Sequence, residues 1–160
     1  MLNNEPISYF LFPSNLHVSK EETNILTILG SCIAVCIWDP ITQIGGMNHY
    51  MLPLWNGKGL ASPKYGNIAI KRLIEKLENQ GVKRTNMQAK VFGGGEVLET
   101  ESNSFIIGKR NAAIAFEMLS EYKIPVMSSN TEGKLGRKII FNTKTGKVKL
   151  HYINQTNGKK

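Results

Sequence analysis

A cysteine at position 32 opens an apolar run directly after Leu29-Gly30-Ser31. A thiol placed there lies beside flexible glycine backbone, where main-chain N–H groups can converge near the sulfur as an oxyanion hole requires. Seventeen residues further on, His49 stands in Gly45-Gly46-Met47-Asn48-His49-Tyr50-Met51-Leu52-Pro53. The turn signal Asp39-Pro40 falls about halfway between the two. Strands folding back at that turn would bring Cys32 and His49 to the same end of a sheet. A thiolate–imidazolium pair would lower the thiol's pKa below its usual ~8.5 and hold a nucleophile ready near neutrality. Cys36, midway along the apolar run, reads as a small buried side chain. His17 and His151 have no supporting neighbourhood. Cys32, Cys36 and His49 are too few, and not at recognised spacing, for a zinc site.

The elements that must position this pair are mostly strands. Residues 24–29 and 33–38 are rich in β-branched and apolar side chains and are separated by Gly30-Ser31. A third strand is expected over 44–52, and a surface loop over 54–63. Ile70, Leu73, Ile74 and Leu77 recur at helical spacing, which predicts a helix over 64–79 stopped by Gly81. A buried strand over 87–92 runs into Gly93-Gly94-Gly95. That triplet lacks the Lys and Ser/Thr of a phosphate loop and reads as a tight turn beside the site. A second helix over 108–121 carries Ala112, Ala115, Phe116 and Leu119 on one stripe, with Ile107-Gly108-Lys109-Arg110-Asn111 at its start. Short strands follow over 124–128, 138–142 and 147–153, the last two joined as a hairpin through Thr143-Lys144-Thr145-Gly146. The pattern is a layered α/β (α+β) single domain over 1–160, with a polar tail from 154.

Composition narrows the function classes. The 160 residues are 41% hydrophobic and 20% charged, which excludes a disordered chain. The longest apolar runs are far short of the ~20 residues that span a bilayer, so no membrane insertion is expected. The N-terminal segment carries Glu5, no basic lead and an apolar patch broken by Pro13, unlike a secretory signal. Two cysteines four apart on one extended strand would sit ~13 Å apart, too far to bridge, so a reducing cytoplasm is the expected compartment. Twenty Lys+Arg against 12 Asp+Glu give +8, which points to an acidic partner. Nucleic acid is a poor candidate, since the lysines are scattered and no basic helix or aromatic-basic stacking motif occurs.

Thr27-Ile28-Leu29-Gly30-Ser31-Cys32-Ile33-Ala34-Val35-Cys36 and the Gly45 to Pro53 segment together resemble the CheD family of chemoreceptor glutamine deamidases. The resemblance continues through Lys64-Tyr65-Gly66-Asn67, Ala89-Lys90-Val91-Phe92-Gly93-Gly94, Ile107 to Asn111 and Gly133-Lys134-Leu135-Gly136-Arg137, and covers roughly 23–149. It implies mixed β-sheets packed together with two flanking helices, similar to the catalytic domain of the cytotoxic necrotizing factor toxins. It implies hydrolysis of glutamine side chains on the cytoplasmic helices of methyl-accepting chemotaxis receptors, without a cofactor. Carried over by motif, Cys32 is the nucleophile, His49 its base and Thr27 the residue that orients the histidine. On an extended strand Thr27, Leu29 and Ser31 would share a face. The chemotaxis phosphatase CheC is the second implied partner, and service mainly as its regulatory partner is the rival role. The chain departs from the family pattern at Glu132, where a second glycine is common, at Gly95, where another small residue follows the first two glycines, and at Lys109, where an acidic or small residue is common.

Overall fold

The computed structural model of the chain describes residues 5–96 and 102–153. The strands are β1 (Ile7–Phe10), β2 (Asn15–Ser19), β3 (Thr23–Leu29), β4 (Ile33–Asp39), β5 (Ile44–His49), β6 (Gln88–Gly93), β7 (Val126–Thr131), β8 (Gly136–Asn142) and β9 (Val148–Ile153). Two helices, α1 (Gly66–Asn79) and α2 (Ser102–Glu121), interrupt them. The strands form two mixed sheets, a four-stranded one in the order β1-β3-β8-β9 and a five-stranded one in the order β2-β5-β4-β6-β7. One pair in each is parallel, β1 with β3 and β6 with β7. The fold is α+β, and neither sheet closes into a barrel.

Strand β4 shows how the layers are held together. Its residues Ile33 to Ile37 are buried on both faces, and successive side chains point opposite ways. Ile33, Val35 and Ile37 join Ile70, Leu73, Ile74 and Leu77 of α1 and Ala112, Ala115 and Leu119 of α2 in one apolar cluster. Ala34 and Cys36 face the other way, into a second cluster with Ile25 and Leu29 of β3, Met47 of β5 and Ile139 and Phe141 of β8. Helices, five-stranded sheet and four-stranded sheet are thus three layers, and β4 lies in the middle one.

The turn after β4 sets the register on which the site depends. Asp39 closes it by accepting Ile41 N–H and the Thr42 hydroxyl on its carboxylate and Gln43 N–H on its carbonyl. Pairing then runs from Asp39↔Ile44 to Cys36↔Met47 and reappears at Ile33↔Tyr50. Between these, the Asn48 side chain accepts Val35 N–H at 2.9 Å.

The predicted helix over 64–79 is α1, and Gly81 at φ 101° ends it as expected. Gly81 N–H bonds Glu78 O and Val82 N–H bonds Leu77 O, the paired bonds of a Schellman motif. The expected strand over 44–52 ends at His49 instead. Met51 and Leu52 turn away and donate to Lys64 O, which ties the chain to the start of α1. Helix α2 begins at Ser102 and not at 108, so Ile107 to Asn111 lie inside the helix and offer no free N-terminal donors. Gly108 reads in sequence as a boundary, yet it serves close packing. A Cβ there would stand 2.6 Å from Gly94 O. Strands β1 and β2 were not expected: β1 is exposed at every residue, so no alternation of apolar and polar side chains marks it.

Candidate active site

Thr27 lies on the inner face of β3, where Thr23, Ile25, Thr27 and Leu29 are buried in strict alternation. His49 ends β5 and is 2% exposed. The two meet between the sheets, with Thr27 Oγ1 2.7 Å from His49 Nδ1. Thr27 Oγ1 also lies 2.7 Å from the carbonyl oxygen of Leu11. That carbonyl accepts and cannot donate, so the single hydroxyl proton of Thr27 goes to it. Thr27 Oγ1 must then accept its second bond from Nδ1–H. The histidine is thereby held as the Nδ1–H tautomer, and the lone pair is left on Nε2. Nε2 is buried and makes no hydrogen bond.

Cys32 immediately precedes β4, half-buried and packed against the inter-sheet cluster. The register Ile33↔Tyr50 puts His49 across from Ala34, so Cys32 is its diagonal neighbour on the same face. Such neighbours stand roughly 7–8 Å apart along the backbone, within reach of side chains that lean together. No hydrogen bond joins the thiol to the imidazole, as the bare Nε2 shows. Burial pushes the Cys32 thiol up to about 11 and the His49 imidazole down to about 4. The structure thus holds no hydrogen-bonded thiol–imidazole pair. Between these values the resting groups are a neutral thiol and a neutral imidazole, because burial disfavours both charged forms.

Main-chain bonds hold the cysteine segment from several sides. Ile33 exchanges both N–H···O bonds with Tyr50, at 3.1 and 2.9 Å. Gly94 N–H donates to Cys32 O and Gly95 N–H to Gly30 O. The glycine triplet is thus the frayed end of β6 laced to residues 30–32. At Gly93, φ is 111° and a Cβ would lie 2.2 Å from Cys32 O, so only glycine lets the two backbones approach. On the helix side, Asn111 Nδ2 donates to Ser31 O at 2.9 Å and to Met51 O at 3.0 Å, and Asn111 O accepts the Tyr50 hydroxyl. One buried amide therefore joins the residue before the thiol to the segment that follows the imidazole's strand.

Of the residues singled out in the sequence, Cys32, His49 and Thr27 come together, with the glycine triplet alongside. Cys36 is buried among apolar neighbours. His17 stacks on Tyr9 with ring centroids 3.9 Å apart, and His151 lies exposed on β9. Among the described residues no group of three His, Cys, Asp or Glu side chains is placed to hold a metal ion. Sequence reasoning missed the Leu11 carbonyl and the side-chain roles of Asn48, Tyr50 and Asn111. A backbone acceptor has no side-chain signature, so only the fold could disclose Leu11. Asn111 stands in the Ile107 to Asn111 motif, which in sequence marks only the start of a helix.

Known proteins resemble this chain over most of its length. The sequence profile described as CheD chemotactic sensory transduction matches residues 51–152. A protein of Trichlorobacter lovleyi, named probable chemoreceptor glutamine deamidase CheD, is 52% identical over 149 residues, 93% of this chain and 92% of that one. A protein of the same name from Sulfurimonas denitrificans is 47% identical over 92% of this chain and 95% of its own length. One from Agrobacterium fabrum is 42% identical over 84% of this chain and 73% of its own.

Proposed function

This chain belongs to the CheD family, and from that premise we propose that it is a protein-glutamine glutaminase acting on chemoreceptors. The observation that carries the mechanism is the Leu11–Thr27–His49 relay, which leaves a bare, buried Nε2 on the face that Cys32 shares. Cys32 Sγ attacks the glutamine Cδ while its proton passes to Nε2. Because the resting pair is neutral, proton transfer and attack are coupled. Main-chain N–H groups, that of Cys32 and a neighbour, hold the oxyanion. The Nε2 proton leaves with ammonia, and a thioester remains. Water then gives a proton to Nε2 and its oxygen to the acyl carbon, and the sulfur departs with that proton. The product is glutamate, and no cofactor enters.

Three further assignments belong to this reading. Receptor cytoplasmic helices are the substrate, and CheC is a second, regulatory partner. The chain acts as one domain in the cytoplasm; among the described residues no helix is long and apolar enough to cross a membrane. The test is selective alkylation. One equivalent of iodoacetamide, placed on Cys32 and not on buried Cys36 as peptide mapping verifies, abolishes ammonia release from a receptor fragment. Full release by protein alkylated at Cys32 overturns the assignment.

A further inference from the structure

The peptide between Ser31 and Cys32 stands where two ladders end. Ile33 and Tyr50 exchange both N–H···O bonds, so a continued antiparallel ladder would next have Leu52 N–H donate to Ser31 O. Leu52 N–H donates to Lys64 O instead, at 3.1 Å. The open place is taken from the helix layer. Asn111 of α2, 0% exposed, donates from Nδ2 to Ser31 O at 2.9 Å and to Met51 O at 3.0 Å. Both acceptors are carbonyls, so the nitrogen end of the amide must face them. Its Oδ1 is buried and meets no partner among the described residues. The amide thus fixes the direction of the Ser31 carbonyl while its own oxygen stays unused.

On the other edge of β4 the second ladder is half made. The register Ile33↔Gly93 places Cys32 opposite Gly94, and Gly94 N–H donates to Cys32 O at 2.8 Å. The reciprocal bond, from Cys32 N–H to Gly94 O, does not form. Gly93 and Gly94 both have positive φ, 111° and 71°, and the chain turns there. Gly94 O lies against Gly108 of α2, where a Cβ would stand 2.6 Å from it. Cys32 N–H therefore has no main-chain acceptor among the described residues. A trans peptide points the C=O of one residue and the N–H of the next in opposite directions. The bond that holds Ser31 O toward Asn111 thus aims the spare Cys32 N–H away from it, as a donor on the nucleophile's own residue.

We propose that Asn111 is a positioning residue of the oxyanion hole: by bonding Ser31 O it orients the peptide whose other end, Cys32 N–H, receives the developing oxyanion. The proposal rests on the deamidase reading and names the side chain that aims one donor of its transition state. As the Sγ–Cδ bond forms, the electron pair of the substrate carbonyl's π bond moves to oxygen, and the thiol proton goes to His49 Nε2. The oxyanion then accepts from Cys32 N–H. On collapse the pair returns, the C–N bond breaks, and the nitrogen takes the proton from Nε2. Asn111 acts through the peptide and not on the substrate, so its loss falls on kcat and not on KM.

The test compares two reactions of the same thiol. Ammonia release from a receptor fragment passes through a tetrahedral oxyanion. Iodoacetamide is attacked at a saturated carbon, expels iodide and forms none. In Asn111→Ala, kcat for ammonia release is expected to fall about tenfold to a hundredfold, with KM within about twofold of wild type. The rate of Cys32 alkylation, followed by peptide mapping, is expected to stay within about twofold. Asn111→Ser keeps one donor on a shorter arm and should lose kcat several-fold; if Asn111→Ala does not fold, it carries the comparison. Unchanged kcat, or equal falls in both reactions, overturns the proposal and leaves Asn111 a clamp between α2 and the sheet. A rise in KM at constant kcat overturns it in favour of substrate contact. Should wild type release no ammonia from the fragment, the deamidase reading fails separately. The Cys32-dependent hydrolysis of p-nitrophenyl acetate, which also passes through a tetrahedral oxyanion, then decides the role of Asn111 by its ratio to alkylation.

Discussion

At the scale of single residues, the proposed chemistry turns on where one proton sits. Thr27 gives its hydroxyl proton to Leu11 O, and so it can only accept from His49. Replacing Thr27 with Val removes that acceptor and leaves two buried groups unpaired, at a cost of about 1–3 kcal/mol for each. We expect Thr27→Val to lower kcat by about a hundredfold with KM little changed, and Thr27→Ser to retain most of the activity. Steady-state ammonia release measures both. The thiol gives an independent check. With Cys32 pushed up to about 11, its alkylation by iodoacetamide is slow at neutrality and rises about tenfold per pH unit toward pH 10. A flat rate between pH 5 and 8 would instead reveal a standing ion pair. Cys32 and His49 stood out in the sequence because the nucleophile and base proposed here are side-chain types with a spacing. Thr27 was legible through the resemblance alone, since a threonine on a strand is ordinarily only a good β-former. The Leu11 carbonyl was illegible, as any residue at that position offers the same oxygen.

At the scale of elements, the site depends on how closely three backbones approach. Two glycines with similar conformations separate crowding from strain. Gly81, at φ 101°, has nothing within 4 Å of a built Cβ, whereas Gly93, at φ 111°, has Cys32 O at 2.2 Å. Gly81→Ala should cost about 1 kcal/mol, the price of the left-handed backbone alone. Gly93→Ala should cost more than ~3 kcal/mol, because β6 must move away from the Cys32 backbone. Urea denaturation measures the difference, and comparable costs for the two would contradict the close-approach reading. Helices and central strands were legible because burial imposes a period on them. Ile70, Leu73, Ile74 and Leu77 of α1 are all buried. The edge strands β1 and β2 and the first turn of α2 were not. Exposed β1 has no apolar face to alternate, and Gly108 signals a boundary in sequence while it permits contact with Gly94 in space.

At the scale of the whole molecule, charge and burial govern how the protein responds to its surroundings. The net +8 favours an acidic partner surface, and that attraction is screened as salt rises. KM for a receptor fragment should therefore climb several-fold between 50 and about 500 mM NaCl with kcat nearly constant. Stability carries the mark of His49. Its folded pKa of about 4 lies below the unfolded 6.5, so the unfolded chain binds the proton first. The contribution is fully present above pH 6.5 and is lost as pH falls toward 4, amounting to about 3 kcal/mol. Melting temperatures across that window should fall in the wild type and flatten in part in His49→Gln. The central claim is that this chain converts receptor glutamine to glutamate through Cys32. Site-resolved mass spectrometry of a receptor cytoplasmic fragment, incubated with wild-type or Cys32→Ala protein, tests it most directly. Wild type is expected to deamidate particular glutamines while Cys32→Ala leaves them as they were; equal conversion by the two proteins would contradict the account.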